Sequence, residues 1–476
     1  MRTILLFFIS CLCFGCSDFL DEVDKDKLIP TTTDHYAAVL LNCHRYDYPL
    51  FNGVEYMTDN LTEYAYVPEN DKKDIKPLYT WQLEVELNEN GNEITTNNDA
   101  WQKMYKNIAI ANYVLELIEE AEGTDVEKMF IKGEAYFVRA LHYFNLLNLY
   151  GVPYNEATMR GDLGVPLRLN IGVEQTYGRN TVYECYEQIE KDLTEASRLL
   201  KESGITKSKF HPSLGACEFL FSRIYLYQEK WEKAITASTN AIAQGALSRP
   251  IEGLYIHTEN PEILYTGCIY GGLNASNFDK GWQVNPELIE LYDAGDARLK
   301  SFFTSVDGKV GTVYYSRKNE STFSNIGFCN FRVAEAYLNR AEAYVQSGEI
   351  EKAREDMKVL LNTRYQKANS YIIPTEETEL LNFILVERRK ELCFEEHHRW
   401  FDLRRMVDCP TIKHVFSLTD ATGNVLGRQT YTLLPHEPNY TLPIPMRERE
   451  NNPLIRNNER YEKLPETDSD IVIPKF

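Results

Sequence analysis

Residues 387–405 read ERRKELCFEEHHRWFDLRR, from Glu387 to Arg405, and this stretch decides the fold. Glu387, Arg388, Arg389, Glu391 and Glu395 alternate in sign at spacings that allow i,i+4 pairing along a helix. Trp400, Phe401 and Leu403 supply apolar bulk to plug a core behind that helix. Asp402 lies beside Arg399, Arg404 and Arg405, which is the composition of a buried or half-buried salt-bridge cluster. Charges interleaved with large apolar groups predict that Glu391, Phe394, Arg399, Trp400, Asp402 and Arg405 keep the fold and do not touch ligand.

Outward from this stretch the chain is dominated by helical periodicity. Trp101, Met104, Tyr105, Ile108, Ala111, Asn112, Leu115 and Ile118 recur at three and four residues, predicting a helix over about 98–120. Residues 126–150 are apolar nearly all round, which marks a central packed helix, and Gly151 and Pro153 stop it. A further helix is predicted over 181–200. Two hairpins of like pattern follow: Ala216 to Ile242 around a tight break, and Val333 to Leu361 around Gly348. Small residues at close positions, with large aromatics beside them, are how tetratricopeptide hairpins stack. The expected class is therefore mostly α. Helical pairs at about 98–150, 181–243 and 331–364, with a C-terminal helix at about 376–396, form a scaffold. Irregular insertions at about 46–97 and 247–324, of loop and short strand, form the ligand face. The tail from residue 410 reads as irregular, with a hairpin turn at 420–424.

The N-terminus sets the address. Arg2 is followed by the apolar run from Ile4 to Leu12, and Gly15 precedes Cys16. That order is a secretory signal over residues 1–15. The run ends too early to span a bilayer, which takes roughly 20 residues. A small residue before Cys16, with polar Ser17 and Asp18 after it, predicts cleavage before Cys16 and lipidation of its thiol. Ordinary signal cleavage that leaves Cys16 a spare thiol is the alternative. An acidic spacer over 16–27 leads into one domain over 28–476. The net charge of −20 argues against nucleic acid, whose phosphates need Lys and Arg. It also argues against a peripheral hold on anionic lipid.

The scan for catalysis is negative. No G-x-S-x-G, H-E-x-x-H, P-loop or G-x-G-x-x-G occurs, and no enzyme activity or cofactor is expected. His397 and His398 are adjacent, so on a helix they diverge, and they are expected to be surface or structural histidines with no metal. Cys43, Cys185, Cys217, Cys268, Cys329, Cys393 and Cys409 are widely spaced without a C-x-x-C pair, and read as buried thiols with one bridge possible. What remains is aromatic surface: the chain holds 31 Tyr against 22 Phe and 5 Trp. A sugar ring presents an apolar C–H face that suits an indole or phenol flanked by amide and carboxylate groups. Candidates in the first irregular stretch are Tyr64, Tyr66, Tyr79 and Trp81, near Asn70, Asp71 and Lys73. Those in the second are Asn277, Asp279 and Trp282, near Tyr270 and Asn274.

The 387–405 stretch resembles the C-terminal hallmark of the SusD/RagB family of Bacteroidetes outer-membrane lipoproteins. Residues 135–150 with Gly151 and Pro153 are similar to its central helix, and residues 331–344 with Leu361 to Arg364 to its last helical pair. Leu442 to Pro445, with Asn452 and Pro453, resembles its closing segment. In one place the chain departs: Glu396 and His397 stand where the family commonly has Gly before a basic residue. The resemblance implies a lipid-anchored protein on the outer face of the outer membrane. It would bind an oligosaccharide and deliver it to a SusC-like TonB-dependent transporter. A peptide-binding RagB-like lid, or a tetratricopeptide module that holds only a partner protein, are the other readings.

Overall fold

Arg139 explains how the first helices hold together. Its guanidinium forms a bidentate ion pair with Asp192 at 2.6 and 2.7 Å and donates to Asn112 Oδ1 at 2.8 Å. One buried side chain thus joins three helices: α2 (Ala100–Leu117), α3 (Asp125–Tyr150) and α4 (Val182–Ser203). Ahead of them lies α1 (Thr33–His44). The computed structural model describes residues 30–44, 53–172, 175–250, 255–257, 259–267, 281–308, 311–318 and 330–467. Cys16, the 1–15 signal, the 16–27 spacer, Asn277 and Asp279 lie outside the described residues, as do Tyr270, Asn274, Cys268 and Cys329.

Local chemistry sets the helix ends. Thr124 and Thr181 each accept from a backbone N–H three residues on, and Glu127 and Glu184 reach back to the cap N–H. Both are complete capping boxes. Gly204 closes α4 in the left-handed conformation at φ 63°. α3 and α4 approach closely at Gly133, where an added Cβ would sit 2.9 Å from Leu200 Cγ. Hairpins follow: α5 (Leu214–Tyr227) with α6 (Trp231–Ile242), and α7 (Val333–Gln346) with α8 (Ile350–Arg364). Ser222 and Ser238 hydroxyls lie 2.7 Å apart, and Asn339 donates to Ser222 at 3.0 Å. Small polar groups thus let α5, α6 and α7 meet at short range. The protein is mostly helical and tetratricopeptide-like.

The C-terminal helix ends earlier than its sequence suggests. α9 runs Glu377–Leu392, the chain turns, and α10 follows at His398–Arg405. Phe394 and Glu396 sit at φ 60° and 45°, a left-handed backbone that no helix continues through. The tail after 410 is also more regular than expected. β7 (Ile412–Thr419) and β8 (Val425–Leu433) form a hairpin, with β9 (Glu466–Thr467) beside β8. Its turn is held by Asp420, which accepts from the backbone N–H groups of Thr422 and Asn424. Short strands occur inside the irregular stretches too: β1 (Leu61–Glu63), β2 (Ile263–Thr266), β3 (Trp282–Val284), β4 (Phe303–Asp307), β5 (Thr312–Ser316) and β6 (Asn330–Arg332). β1 pairs β3, β2 pairs β6 and β4 pairs β5, all antiparallel.

The charges of the 387–405 stretch do not pair chiefly along their own helix. Glu391 accepts from Arg298 at 3.2 Å, Arg332 at 2.9 Å and Arg364 at 2.9 Å. Glu262 bridges Arg332 and Arg364, and Glu395 binds Arg332 and Lys318. Asp296 and Glu387 hold Arg298 and Lys390. All are buried. Arg298, Arg332, Arg364, Lys318 and Lys390 are matched by Glu262, Asp296, Glu387, Glu391 and Glu395, so the charges cancel. Burial raises the Glu391 carboxyl, but the three guanidiniums overcome it and hold the group well below its usual range. Asp402 pairs with Arg388 and Arg405; Arg399 pairs instead with Asp59, and Arg404 donates to the Gly151 carbonyl. Trp400 and Phe394 are buried in the apolar core, which runs from Tyr36 to Ile444.

Candidate functional site

Strand pairing joins the two irregular stretches. β1 from the first pairs β3 from the second, with Leu61 opposite Val284, Thr62 opposite Gln283 and Glu63 opposite Trp282. The Tyr64 N–H donates to the Gly281 carbonyl at 2.7 Å and extends the pairing. Glu63 then ties this ribbon to β7, because it accepts from the Ser417 N–H at 2.8 Å and forms an ion pair with buried Lys72. Burial raises the Glu63 carboxyl above its usual range even with that ammonium beside it. Asp59 anchors the other end. It receives two bonds of 2.7 Å from Arg399, and Arg389 lies 3.2 Å away. Burial raises this carboxyl too, yet the two guanidiniums hold it well below its ordinary range. Arg389 and Arg399 of the hallmark stretch therefore anchor the segment that leads into β1, part of the expected ligand face.

Tyr79, Trp81 and Trp282 are not on that face. Trp81 is 0 % exposed and Trp282 1 %. His414 lies between Tyr79 and Trp81, stacked at 4.1 and 4.3 Å, and Trp282 meets Tyr79 edge-on at 4.7 Å. The Trp81 indole N–H donates to the Met57 carbonyl at 2.9 Å. These rings have exchanged solvent for one another, since a large aromatic buries more apolar area in a core than on a sugar. His414 stays neutral, its pKa pushed down to about 4 by burial. Its Nδ1 is 2.6 Å from the Tyr79 carbonyl and its Nε2 3.1 Å from that of Thr58, so the neutral ring donates to one of them.

Tyr66 remains on the surface, half-buried, with Tyr64 edge-on to it at 5.5 Å. Tyr64 itself is largely buried in a small cluster with Val67 and Val313. Asn70 and Asp71 are exposed, and Lys73 donates to Asn70 at 2.6 Å. Tyr314 and Tyr315 on β5 are also half-buried; Tyr314 packs against the main core, and Tyr315 shares the side of the strand that carries Val313 of the Tyr64 cluster. The sequence reading passed over them as part of a short strand. Their adjacency is the missed signal: consecutive Tyr on an exposed strand put rings on both faces of it.

A second concavity lies elsewhere. The start of α2, residues 166–168 and 175–177, and a short helix at Met446–Asn451 border a hollow of about 800 Å³. Trp101, Tyr105 and Tyr177 line it together with Asn98, Gln102, Arg168 and Glu448. None of the predicted ligand residues borders it.

Residues 18–226 match a SusD-like family model described as "Starch-binding associating with outer membrane", and residues 258–461 match the model of the SusD family. The chain belongs to the SusD/RagB family. "SusD-like protein P38" of Formosa agariphila is 25 % identical over 387 residues, covering 66 % of this chain and 73 % of the relative. A SusD superfamily protein from Bacteroides thetaiotaomicron superposes with a TM-score of 0.69 at 24 % identity, over 90 % of this chain and 100 % of that one. A SusD-like carbohydrate binding protein from Bacteroides vulgatus superposes at 0.67 with 20 % identity, over 89 % and 97 %.

With the family in hand, Glu396 gains a meaning. It occupies the position where SusD/RagB chains commonly have Gly, and it adopts the left-handed backbone that Gly would favour. Its carboxylate binds Arg223 at 2.7 Å, inside a buried cluster with Glu335. His397 and His398 are buried rather than on the surface, and burial holds both well below their usual pKa. Cys43, Cys185, Cys217, Cys393 and Cys409 are buried free thiols. Among the described residues of this SusD/RagB chain no His, Cys, Asp and Glu group is placed to hold a metal, and no helix is long and apolar enough to cross a membrane.

Proposed function

We propose that this chain is a binding protein without catalytic activity, tethered to the outer membrane by lipid on Cys16. It captures an oligosaccharide at the cell surface and passes it to a SusC-like TonB-dependent transporter. The observation that carries the reading is the β1–β3 pairing, which joins the two irregular stretches. The expected ligand face offers the half-buried rings of Tyr66 and Tyr315, with Asn70, Asp71 and Lys73 close to Tyr66 in the chain. Aromatic planes next to amide and carboxylate groups suit the alternating C–H and hydroxyl surface of a sugar. The family description and the carbohydrate binding neighbour support the same class of ligand. Asn277 and Asp279 are proposed as further ligand contacts from their sequence alone.

The test is calorimetric titration of a panel of neutral oligosaccharides. Tyr66→Ala and Tyr315→Ala should each weaken binding about tenfold, equivalent to roughly 1.4 kcal/mol, and leave the melting temperature unchanged. Trp81→Ala should lower the melting temperature, because it opens a cavity in the core. Failure of the unmodified protein to bind any member of the panel would sink the reading.

A further inference from the structure

We propose that the cavity beside α2 is a second saccharide site, separate from the tyrosine face, and that it takes a sugar carrying an anionic substituent. Its volume of about 800 Å³ falls inside the range of small-ligand sites, roughly 300–1,000 Å³. Its aromatic floor is rigid. Trp101 is buried and edge-on to Tyr150 at 5.1 Å, and the Tyr105 hydroxyl is pinned by donating to the Pro166 carbonyl at 2.7 Å. Tyr177 lies across from them beneath the Arg168 guanidinium, whose central carbon is 5.2 Å from the ring centre.

The charge bookkeeping of the lining decides the ligand class. Every carboxylate there already has a partner. Asp99 pairs with Lys103, Glu86 accepts from the Met446 N–H at 3.1 Å, and Glu448 accepts from Asn452 at 2.9 Å. The cations are different. Among the described residues, Arg168 donates from its side chain only to the Gly172 carbonyl, at 3.3 Å, so most of its five donors meet no acceptor there. Lys106 and Arg447 are exposed, and their side chains form no hydrogen bond or ion pair among the described residues. A chain of net charge −20 has thus gathered spare positive donors around a ring-lined hollow. A neutral sugar would leave them idle. A carboxylate or sulfate ester on a sugar seated over Trp101 and Tyr105 would engage them with charge-assisted hydrogen bonds.

Calorimetry on the purified full chain tests this with three probes: tetragalacturonate, a chondroitin sulfate tetrasaccharide and neutral cellotetraose. One anionic probe or both should bind, more weakly as salt rises. Tetragalacturonate carries carboxylates only and chondroitin sulfate both groups, so binding of tetragalacturonate shows that a carboxylate suffices and binding of chondroitin sulfate alone points to the sulfate. The double variant K106E/R447E, at two exposed positions, should lose at least tenfold in that affinity with its melting temperature unchanged. Tyr66→Ala should leave it intact, so failure of the tyrosine-face reading and failure of this one are distinguishable. The proposal is overturned if neither anionic probe binds, if K106E/R447E binds them as the parent does, or if Tyr66→Ala abolishes the binding.

Discussion

Glu391 is the residue on which most of the C-terminal region converges. Three guanidiniums from separate elements meet on its two oxygens, 59, 93 and 27 residues away in sequence. A buried ion pair is weak evidence of net stability, but removing one partner strands the others without water or counter-charge. Glu391→Ala should therefore destabilise the chain by about 3–5 kcal/mol, read as a drop in the urea midpoint. An unchanged midpoint would mean that the arginines find other partners. The stretch from Glu387 to Arg405 was legible as charged, apolar and fold-keeping. Its partners were not. Spacing suggested pairs along the helix, whereas Arg388 reaches Asp402, Arg389 reaches Asp59 and Glu395 reaches Arg332. Sequence periodicity reports neighbours along one helix, and a buried charge chooses among neighbours from every element.

At the scale of elements, the helices were the clearest part of the sequence, and their ends show why. Thr181 and Glu184 complete a capping box with no help from the rest of the fold. Thr181→Ala should cost about 1 kcal/mol in denaturant unfolding, while Thr181→Ser retains the cap. A cost near zero for Thr181→Ala would mean that tertiary packing alone holds the start of α4. The end of α9 was misjudged for a related reason. Nothing in Phe394 or Glu396 signals a left-handed backbone, since neither is Gly, and the buried Arg223 partner that keeps Glu396 there is 173 residues distant. Strands β1 and β3 were illegible for their brevity. Three residues carry no alternation to detect, and their pairing partner lies on the other irregular stretch.

For the whole molecule, buried groups set the response to pH. Burial raises the carboxyls of Glu55 and Glu396 to about 7, so they hold their protons in the folded chain after the unfolded chain has lost them. Their contribution is full below about pH 4.5 and is lost as pH rises through 7, roughly 3 kcal/mol each. His414 acts in the opposite sense. With its pKa lowered to about 4, it costs stability as pH falls from 6.5 toward 4. His397 and His398, whose pKa values burial also lowers, act in the same sense as His414. Between pH 5 and pH 8 the histidines therefore oppose the two carboxylates, and Glu55→Gln should shift the pH slope of the urea midpoint in the positive direction. A Glu55→Gln midpoint with the same pH slope as the parent over this interval would contradict the assignment. Glu55 and His414 are unremarkable letters in the sequence; only enclosure gives them these values. The same division holds for the protein as a whole. Sequence alone determined the mostly helical class, the hairpin repeats, the hallmark stretch and the family it signals, because periodicity, capping and composition are local. Tertiary structure alone decided that Trp81 and Trp282 are core, that Tyr66 and Tyr315 stay half-buried, and that a hollow opens beside α2. Whether a ring faces water or another ring depends on what the rest of the chain brings against it.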